Sequence, residues 1–242
     1  MQSITLKRPD DWHIHLRDDA YLARTVGDAA RYFGRVLVMP NLVPPVTNVA
    51  LATAYRDRIL KHAPSGFAPM MALYLTDETN KATVAAAAET PFTPAFKLYP
   101  AGATTNSAFG ISAIEEMFPV FEAMQEQDVI LSIHGEVTDQ DVDIFDREAV
   151  FIDRILSRIA STFPSLRIIL EHITTREAVE FVQDANTKVA ATITAHHLLY
   201  NRNDMLAGGM KPTHYCLPVL KRNVHQAALI SAATSGDSSF FI

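Results

Sequence analysis

The chain has 242 residues, of which 48% are hydrophobic and 20% are charged, and its formal net charge is −6. These proportions are typical of a soluble globular protein, and the length is sufficient for one large α/β domain or two small ones. The negative charge and the absence of a run of lysines or arginines argue against general nucleic-acid binding.

Three features of the sequence predict a cytoplasmic protein. The single cysteine, Cys216, excludes an internal disulfide and suits a reducing compartment. The first residues lack the apolar core of a signal peptide. No run of about 18 apolar residues is present, so no membrane span is expected.

Apolar runs of strand length alternate with longer amphipathic stretches along the chain. We predict strands at 11–16, 35–39, 68–75, 94–99, 129–134, 167–172 and 189–194, with the start of an eighth at 239–242. We predict helices near 19–33, 47–62, 79–89, 111–127, 145–163, 174–186 and 221–235, and an irregular segment at about 195–220. This alternation is typical of an α/β fold with a parallel sheet.

No linker or low-complexity region divides the chain, so we predict a single domain over residues 1–242. Seven strand–helix units and the start of an eighth strand predict a (β/α)8 TIM-type barrel. Such barrels typically take about 250 residues or more. The sequence is therefore expected to stop as its last strand begins.

The first predicted strand carries His13, His15 and Arg17 at alternate positions, which places them on one face. Two imidazoles at this spacing can bind one metal ion, and the guanidinium beside them could hold an anionic substrate. The pattern alone leaves the question open. A His-x-His sequence also occurs by chance, and histidines on a half-exposed strand need no ligand.

Further polar residues recur where predicted strands end, and this is the edge at which parallel α/β folds gather their reactive groups. Taken one at a time, each strand-end histidine is more simply explained by an ordinary hydrogen bond. Together with a lysine inside a strand, they favour metal binding. The set is Asn41, Lys97, His134, His172, His196 and His197.

Lys97 lies in an apolar strand, where an uncompensated ammonium would be costly. It could reach solvent from the strand end or pair with a carboxylate. Beside metal-binding histidines, a neutral amine that has added carbon dioxide is the better interpretation. Glu136 and Glu171 could also bind metal, but Glu171 should face away from His172 and form a structural pair.

Seven segments resemble bacterial dihydroorotase of the short, stand-alone type, within the amidohydrolase superfamily. Together they extend over essentially the whole chain and are highly specific, whereas His-x-His alone would indicate only the superfamily. The segments are 8–18, 38–47, 97–101, 134–138, 171–175, 191–194 and 215–222.

The resemblance implies a barrel enzyme of pyrimidine biosynthesis that reversibly cyclises N-carbamoyl-L-aspartate to L-dihydroorotate. It implies two zinc ions. By this similarity, His13 and His15 bind the more buried ion, while His134 and His172 bind the second. Lys97, carboxylated to N6-carboxylysine, would bridge the two.

The resemblance also implies how the small-molecule substrate binds. Arg17 and Asn41 would take its carboxylate, and Thr104 and Thr105 would belong to a loop that closes over it. The backbone of Leu217 would contact the ring. A homodimer is consistent with the resemblance, although no feature of the sequence defines an interface.

One family motif, Gly-Thr-Asp-Ser-Ala-Pro-His, is not found in these residues. Its aspartate, the acid/base and a further ligand of the buried zinc, follows the eighth strand, whereas this sequence ends at Ile242. Asp237 precedes that strand and should lie at the opposite end. We therefore assign no catalytic acid/base and expect the 242-residue chain alone, whether fragment or shortened protein, to be nearly inactive, with unpaired strand edges.

Two other functions remain open from the sequence. A related cyclic amidase could act on hydantoin-like or ureide rings, although Arg17 and Asn41 favour a ring that bears a carboxylate. A non-catalytic relic could instead bind metal or a partner protein without turnover.

Overall fold

A computed structural model describes residues 3–185 and 188–242 of the chain. Its strands are β1 Asp11–Ile14, β2 Arg35–Val38, β3 Ala68–Tyr74, β4 Ala95–Leu98, β5 Ile130–His134, β6 Ile168–Glu171, β7 Val189–Thr192 and β8 Phe240–Phe241. Its α-helices are α1 Leu22–Tyr32, α2 Val49–Leu60, α3 Lys81–Ala88, α4 Phe118–Glu126, α5 Arg147–Phe151, α6 Ser157–Thr162, α7 Arg176–Asp184, α8 Ala195–Leu199, α9 Arg202–Leu206 and α10 Asn223–Thr234. Each predicted strand is therefore present, shorter by one or more residues.

The eight strands form one parallel sheet in sequence order, β1 to β8. Within the described part of the chain, β1 and β8 are the edges of this curled sheet. The predicted α/β barrel architecture of the TIM type is confirmed. In the part of the chain that the structure describes, no helix is long and apolar enough to cross a membrane.

Alternation along the strands separates the helix-covered core from the barrel interior. On β4, Phe96 and Leu98 are fully buried in the main hydrophobic core, which the surrounding helices cover. Lys97 between them points to the other side of the sheet, because successive side chains of a strand alternate. The same pattern on β5 places Leu131 and Ile133 in the core. The interior is thus left to the polar residues of these strands.

Several element boundaries differ from those predicted. The helix expected at 19–33 begins as a 3-10 turn at Asp19–Tyr21, and the one at 145–163 contains a π-helical turn, Ile152–Leu156, between α5 and α6. The helix expected at 174–186 ends at Asp184, and residue 186 lies outside the described residues. The segment expected to be irregular at 195–220 holds the short helices α8 and α9.

Candidate functional site

A cavity of about 280 Å³ opens at the carboxyl ends of the strands. Four of its histidines lie in the last part of β1 or β5 or directly after β1 or β6, which is where parallel α/β folds place reactive groups. Nine of the ten residues proposed from the sequence line this cavity, and the tenth, Lys97, is buried at β4. The lining is His13, His15, Arg17, Asn41, Tyr99, Thr104, Thr105, His134, His172, Thr194, His196, His197, Cys216, Leu217 and Pro218.

The four proposed histidine ligands form a continuous cluster. The ring centroids of His13 and His15 are 5.3 Å apart, and those of His13 and His172 are 5.1 Å apart. The rings of His134 and His172 are closer, at 4.8 Å between centroids. His13 therefore stands between one neighbour from its own strand segment and one from β6.

Two of these imidazoles are oriented by buried carboxylates. The Nδ1 atom of His13 lies 2.9 Å from Oε2 of Glu171, and the Nε2 atom of His134 lies 2.9 Å from Oε2 of Glu136. A carboxylate that accepts a hydrogen bond from one ring N–H fixes the tautomer and leaves the other nitrogen as an electron-pair donor. The donors left for a metal are thus Nε2 of His13 and Nδ1 of His134.

The expected structural role of Glu171 agrees with its surroundings. The hydroxyls of Ser132 and Thr192 donate to its carboxylate at 2.6 and 2.7 Å, in addition to the His13 contact. Burial favours a higher pKa for Glu171, but His13, Lys97 and these hydrogen bonds outweigh burial and lower its pKa to about 2. The group is therefore an anion inside the barrel.

His172 reaches the cavity by an unusual backbone conformation. It follows the last residue of β6 with a φ of 42°, in the left-handed region that side chains other than glycine rarely adopt. Its amide donates to the Thr192 hydroxyl at 2.6 Å, which holds the turn. Strain of this kind is characteristic of functional positions. The Nδ1 atom of His172 is buried and has no hydrogen-bond partner among the described residues.

Burial favours the neutral form, which metal binding requires, for three of these imidazoles. It lowers the pKa of His15 to about 3, with smaller contributions from electrostatic interactions with His13 and Arg17. It also lowers the pKa of His134, and it lowers that of His172 well below the usual range. Neutral imidazole is the ligand form for zinc.

Lys97 is the least ordinary residue of the site. Its side chain is fully buried, and its ammonium nitrogen has no hydrogen-bond partner among the described residues. The nitrogen lies 5.3 Å from the ring centroid of Tyr99. Burial lowers the pKa of Lys97 to about 8, against the opposing charge of Glu171. A substantial neutral fraction near this pH gives the amine the lone pair that carbamate formation needs.

The donor atoms of these residues are of the kind that bind zinc, since neutral imidazole nitrogens are zinc ligands. In residues 3–185 and 188–242, no three side chains of histidine, cysteine, aspartate or glutamate form a group that could hold one ion. A carboxylated Lys97 would add oxygen ligands to those of the histidines. Its buried nitrogen, which has no hydrogen-bond partner among the described residues, fits that role.

Arg17 and Asn41 lie on one side of the same cavity. The first strand ends at Ile14, so Arg17 reaches the cavity through a left-handed turn (φ 59°) and not by strand alternation as expected. The hydroxyl of Tyr55 on α2 donates to the backbone oxygen of Arg17 and holds this turn.

The segment 99–111 covers part of the cavity through Thr104 and Thr105. It is tethered by reciprocal amide contacts, since Asn41 donates to the backbone oxygen of Thr105 and Asn106 donates to that of Asn41, both at 3.1 Å. At its base, Ile111 pairs with Tyr99 through a backbone hydrogen bond of 2.9 Å. The segment therefore lies over the cavity while anchored at both ends.

The sequence did not single out several residues of the cavity wall. Tyr99 follows Lys97 by two positions and could have been found from strand alternation. His197 was noted as a strand-end histidine, but both of its ring nitrogens are engaged, by Thr194 at 2.5 Å and by the backbone oxygen of Pro218 at 3.1 Å. This makes His197 a structural residue. Asp237 does not line the cavity.

Comparison with known proteins agrees with this geometry. The model of the amidohydrolase family matches residues 11–242. A dihydroorotase of Ectopseudomonas mendocina is 61% identical over 241 residues, which is 99% of this chain and 69% of that protein. One of Shewanella amazonensis is 58% identical over 242 residues, covering 100% of this chain and 71% of that protein. The chain belongs to the dihydroorotase family of amidohydrolases.

Solved structures lead to the same family. The crystal structure of dihydroorotase from Campylobacter jejuni superposes with a TM-score of 0.91 at 38% identity, over 98% of this chain and 68% of that one. An L-hydantoinase from Arthrobacter aurescens gives a TM-score of 0.72 at 16% identity, over 95% of this chain and 55% of that one, and shows the shared fold alone. The predicted family and enzyme class, a cyclic amidohydrolase, are therefore confirmed.

Proposed function

We propose that the substrate pair of this enzyme is N-carbamoyl-L-aspartate and L-dihydroorotate, interconverted in pyrimidine biosynthesis. The observation that carries the proposal is the buried Lys97, whose nitrogen has no hydrogen-bond partner among the described residues, together with four histidines, Arg17 and Asn41 of one cavity. Dihydroorotate is a small ring with a carboxylate, and a cavity of about 280 Å³ is of a suitable size for it.

Two zinc ions are the cofactors we propose. His13 and His15 would hold one, His134 and His172 the other, and N6-carboxylated Lys97 would bridge them. When bound, zinc polarises a carbonyl and makes hydroxide available near neutral pH for attack on the cyclic amide. The contribution of the protein is to prepare these imidazoles. Burial favours the neutral form of His15, His134 and His172. The carboxylates of Glu171 and Glu136 orient the rings of His13 and His134.

Arg17 and Asn41 would orient the substrate through its carboxylate. A guanidinium binds a carboxylate with two parallel hydrogen bonds, and an amide adds a further donor. Asn41 at present donates to the backbone of Thr105, so a substrate carboxylate would compete for that donor. This couples substrate binding to the position of Thr104 and Thr105. The backbone of Leu217, which also lines the cavity, would contact the ring.

Ring opening requires a proton for the leaving nitrogen, and no aspartate or glutamate is among the described residues that line the cavity. We therefore infer that the 242 residues alone turn over slowly. A version extended with the family's Gly-Thr-Asp-Ser-Ala-Pro-His segment is expected to be much faster.

We also propose a homodimer in the cytoplasm; light scattering on the purified protein tests the oligomeric state.

The proposal is tested by dihydroorotate hydrolysis and carbamoyl aspartate cyclisation, assayed with zinc and bicarbonate. The assay compares the 242-residue chain, the extended version and the Lys97→Ala variant of each. Activity in the extended protein that is lost with Lys97→Ala supports the proposal. Hydantoin and ureide rings serve as competing substrates. A folded, zinc-loaded extended protein that hydrolyses hydantoin but not dihydroorotate contradicts it, and one without any turnover points to the binding relic.

A further inference from the structure

A buried series of side chains leads from His134 through Glu136 to Lys221. The Glu136 carboxylate contacts Nε2 of His134 through Oε2 at 2.9 Å. The other oxygen, Oε1, lies 3.9 Å from the ammonium of Lys221. The side chains of Glu136 and Lys221 are each 2% exposed, so solvent does not screen this pair.

Lys221 belongs to the segment 217–222, which precedes α10 and forms part of the cavity wall through Leu217 and Pro218. Its ammonium donates to the backbone oxygen of Val219 at 3.1 Å, which keeps the side chain folded inward. The Oε1 atom of Glu136 has no hydrogen-bond partner among the described residues. Lys221 is therefore the cation that faces the free oxygen of Glu136.

A buried ion pair is weak support for the stability of a fold, because desolvation of both charges offsets their attraction. Apolar residues of similar size are often equally stable in such positions. The pair here differs from a merely structural one in that its carboxylate contacts the imidazole of a cavity residue. Its placement fixes which ring nitrogen of His134 faces the cavity.

We propose that Glu136 and Lys221 are positioning residues that set the tautomer and orientation of His134. Glu136 accepts the Nε2–H of the imidazole, which leaves Nδ1 as the donor toward the cavity. Lys221 holds Glu136 in this position and ties the wall segment 217–222 to the histidine. This inference rests on the proposed function, in which Nδ1 of His134 is a ligand of the second zinc ion.

The tautomer is tested without metal. Long-range proton–nitrogen NMR of the metal-free 242-residue protein, with histidine nitrogens labelled, identifies the protonated nitrogen of each ring. His134 is expected as the Nε2–H form in the unaltered protein. Glu136→Leu is expected to give a mixture of both tautomers. Glu136→Gln keeps an acceptor oxygen and is expected to change the tautomer populations less. A predominant Nδ1–H form in the unaltered protein overturns the proposal.

Metal binding gives a second readout. Zinc titration against a chromophoric chelator is expected to show two ions per chain, one of which weakens about 10–100-fold in Glu136→Leu and less in Glu136→Gln and Lys221→Met. Glu148→Gln is the matched control. Glu148 is also a buried carboxylate near Lys221, but it accepts from Thr174 and Thr175 and does not contact His134.

The outcomes separate this inference from the proposed function. The positioning role is wrong if two zinc ions bind with the same affinity to the unaltered protein, Glu136→Gln and Lys221→Met. That result leaves the proposed function intact. If Glu136→Leu does not fold, Glu136→Gln and Lys221→Met decide. No zinc binding by the unaltered protein contradicts the proposed function, while the NMR result still decides whether Glu136 sets the tautomer. Equal weakening by Glu148→Gln also overturns the positioning role.

Discussion

Glu171 joins His13 to the far side of the barrel through a single buried carboxylate. Its Oε2 atom lies 2.9 Å from Nδ1 of His13 on β1 and accepts from Thr192 on β7, while its Oε1 accepts from Ser132 on β5. One side chain of β6 thereby links four strands across the interior. Since β1 is an edge of the described sheet, this contact fixes the first strand against residues with which it has no backbone pairing.

Replacing Glu171 by glutamine should therefore affect both metal binding and stability. Glutamine cannot accept from three donors with a full negative charge, so His13 loses its fixed tautomer. We expect zinc affinity to fall about 10–100-fold. The free energy of unfolding should fall by about 1.5–3 kcal/mol, the usual value for hydrogen bonds to a charged group. Zinc competition and urea unfolding of the metal-free protein measure the two effects.

Glu180→Gln is the matched control, because the same substitution is made on an exposed face of α7. Its contact is an ion pair with Arg176 at 3.5 Å, and exposed pairs of this kind contribute about 0–1 kcal/mol. If Glu171→Gln changes zinc affinity and the free energy of unfolding no more than Glu180→Gln does, the linking role of Glu171 is wrong.

Lys97→Met should separate function from stability. Methionine has a similar length but carries no charge, and the native ammonium is buried without a hydrogen-bond partner among the described residues. We expect the free energy of unfolding of the metal-free protein to rise by about 1–3 kcal/mol, the cost of leaving a buried polar group unsatisfied. Dihydroorotase activity of the extended protein should be lost. A clear loss of stability would instead show that Lys97 pairs with Glu171 in the fold.

The carboxylation of Lys97 can be observed directly. Protein incubated with zinc and ¹³C-labelled bicarbonate should give a carbamate carbon signal in NMR, because the neutral amine adds carbon dioxide in a dry pocket. Lys97→Met should lack the signal, and an exposed lysine variant such as Lys81→Met should retain it. An equal signal from Lys97→Met would assign the carbamate to another amine.

Sequence patterns predicted the strands well because apolar runs and proline or polar breaks mark them locally. The N-cap of α2 is an example of such a local signal, since the side chain of Asn48 accepts from the amide of Leu51 at 3.0 Å. The strand-end positions of His134 and His172 followed from the same register. These parts of the fold depend on short-range rules that a single sequence contains.

The rest of the site depends on contacts between residues distant in sequence. Strand alternation cannot show that His172 adopts a φ of 42°, or that Glu171 meets a histidine 158 residues away. The partner of Glu136 was equally hidden, because Lys221 arrives from a connection of short helices. Predicting such contacts requires the curvature of the sheet and the path of long loops, and neither is encoded by periodicity.

Acid conditions should reveal the ion pair between Asp10 and Arg35, which flank the N-terminal edge of β1 and β2. A side-chain hydrogen bond from Arg35 lowers the pKa of Asp10 below its ordinary value of 3.8. A lowered carboxyl pKa stabilises the fold above the unfolded value, and this stabilisation disappears as the pH falls through the folded value. The free energies of unfolding of the native protein and Arg35→Gln, measured in urea, should therefore differ by a constant amount above about pH 5. They should converge below pH 3.8.

A difference between these two proteins that does not change with pH would show that Arg35 acts through packing alone. Its guanidinium lies 5.1 Å from the ring centroid of Trp12, so such a contribution exists. Asp10→Asn distinguishes the two contributions. It removes the titrating group and leaves the contact with Trp12, and it should abolish the convergence at acid pH.

Gly110 offers a test of the segment over the cavity. A Cβ atom at this position would lie 2.2 Å from the backbone oxygen of Tyr99, which no side-chain movement can relieve. Gly110→Ala should therefore displace the base of the segment that carries Thr104 and Thr105. We expect KM for dihydroorotate in the extended protein to rise more than kcat falls, since these threonines are proposed to contact substrate and not to transfer protons.

Gly27→Ala is the control for the same change without a clash. A Cβ atom at Gly27 meets nothing within 4 Å, and the residue lies inside α1, away from the cavity. Alanine there should raise the free energy of unfolding by about 0.5–1 kcal/mol and leave both kinetic constants unchanged. If Gly110→Ala leaves KM and kcat unchanged, as Gly27→Ala is expected to do, the segment does not contact the substrate. If kcat falls alone, the segment positions the reacting groups and not the bound ring.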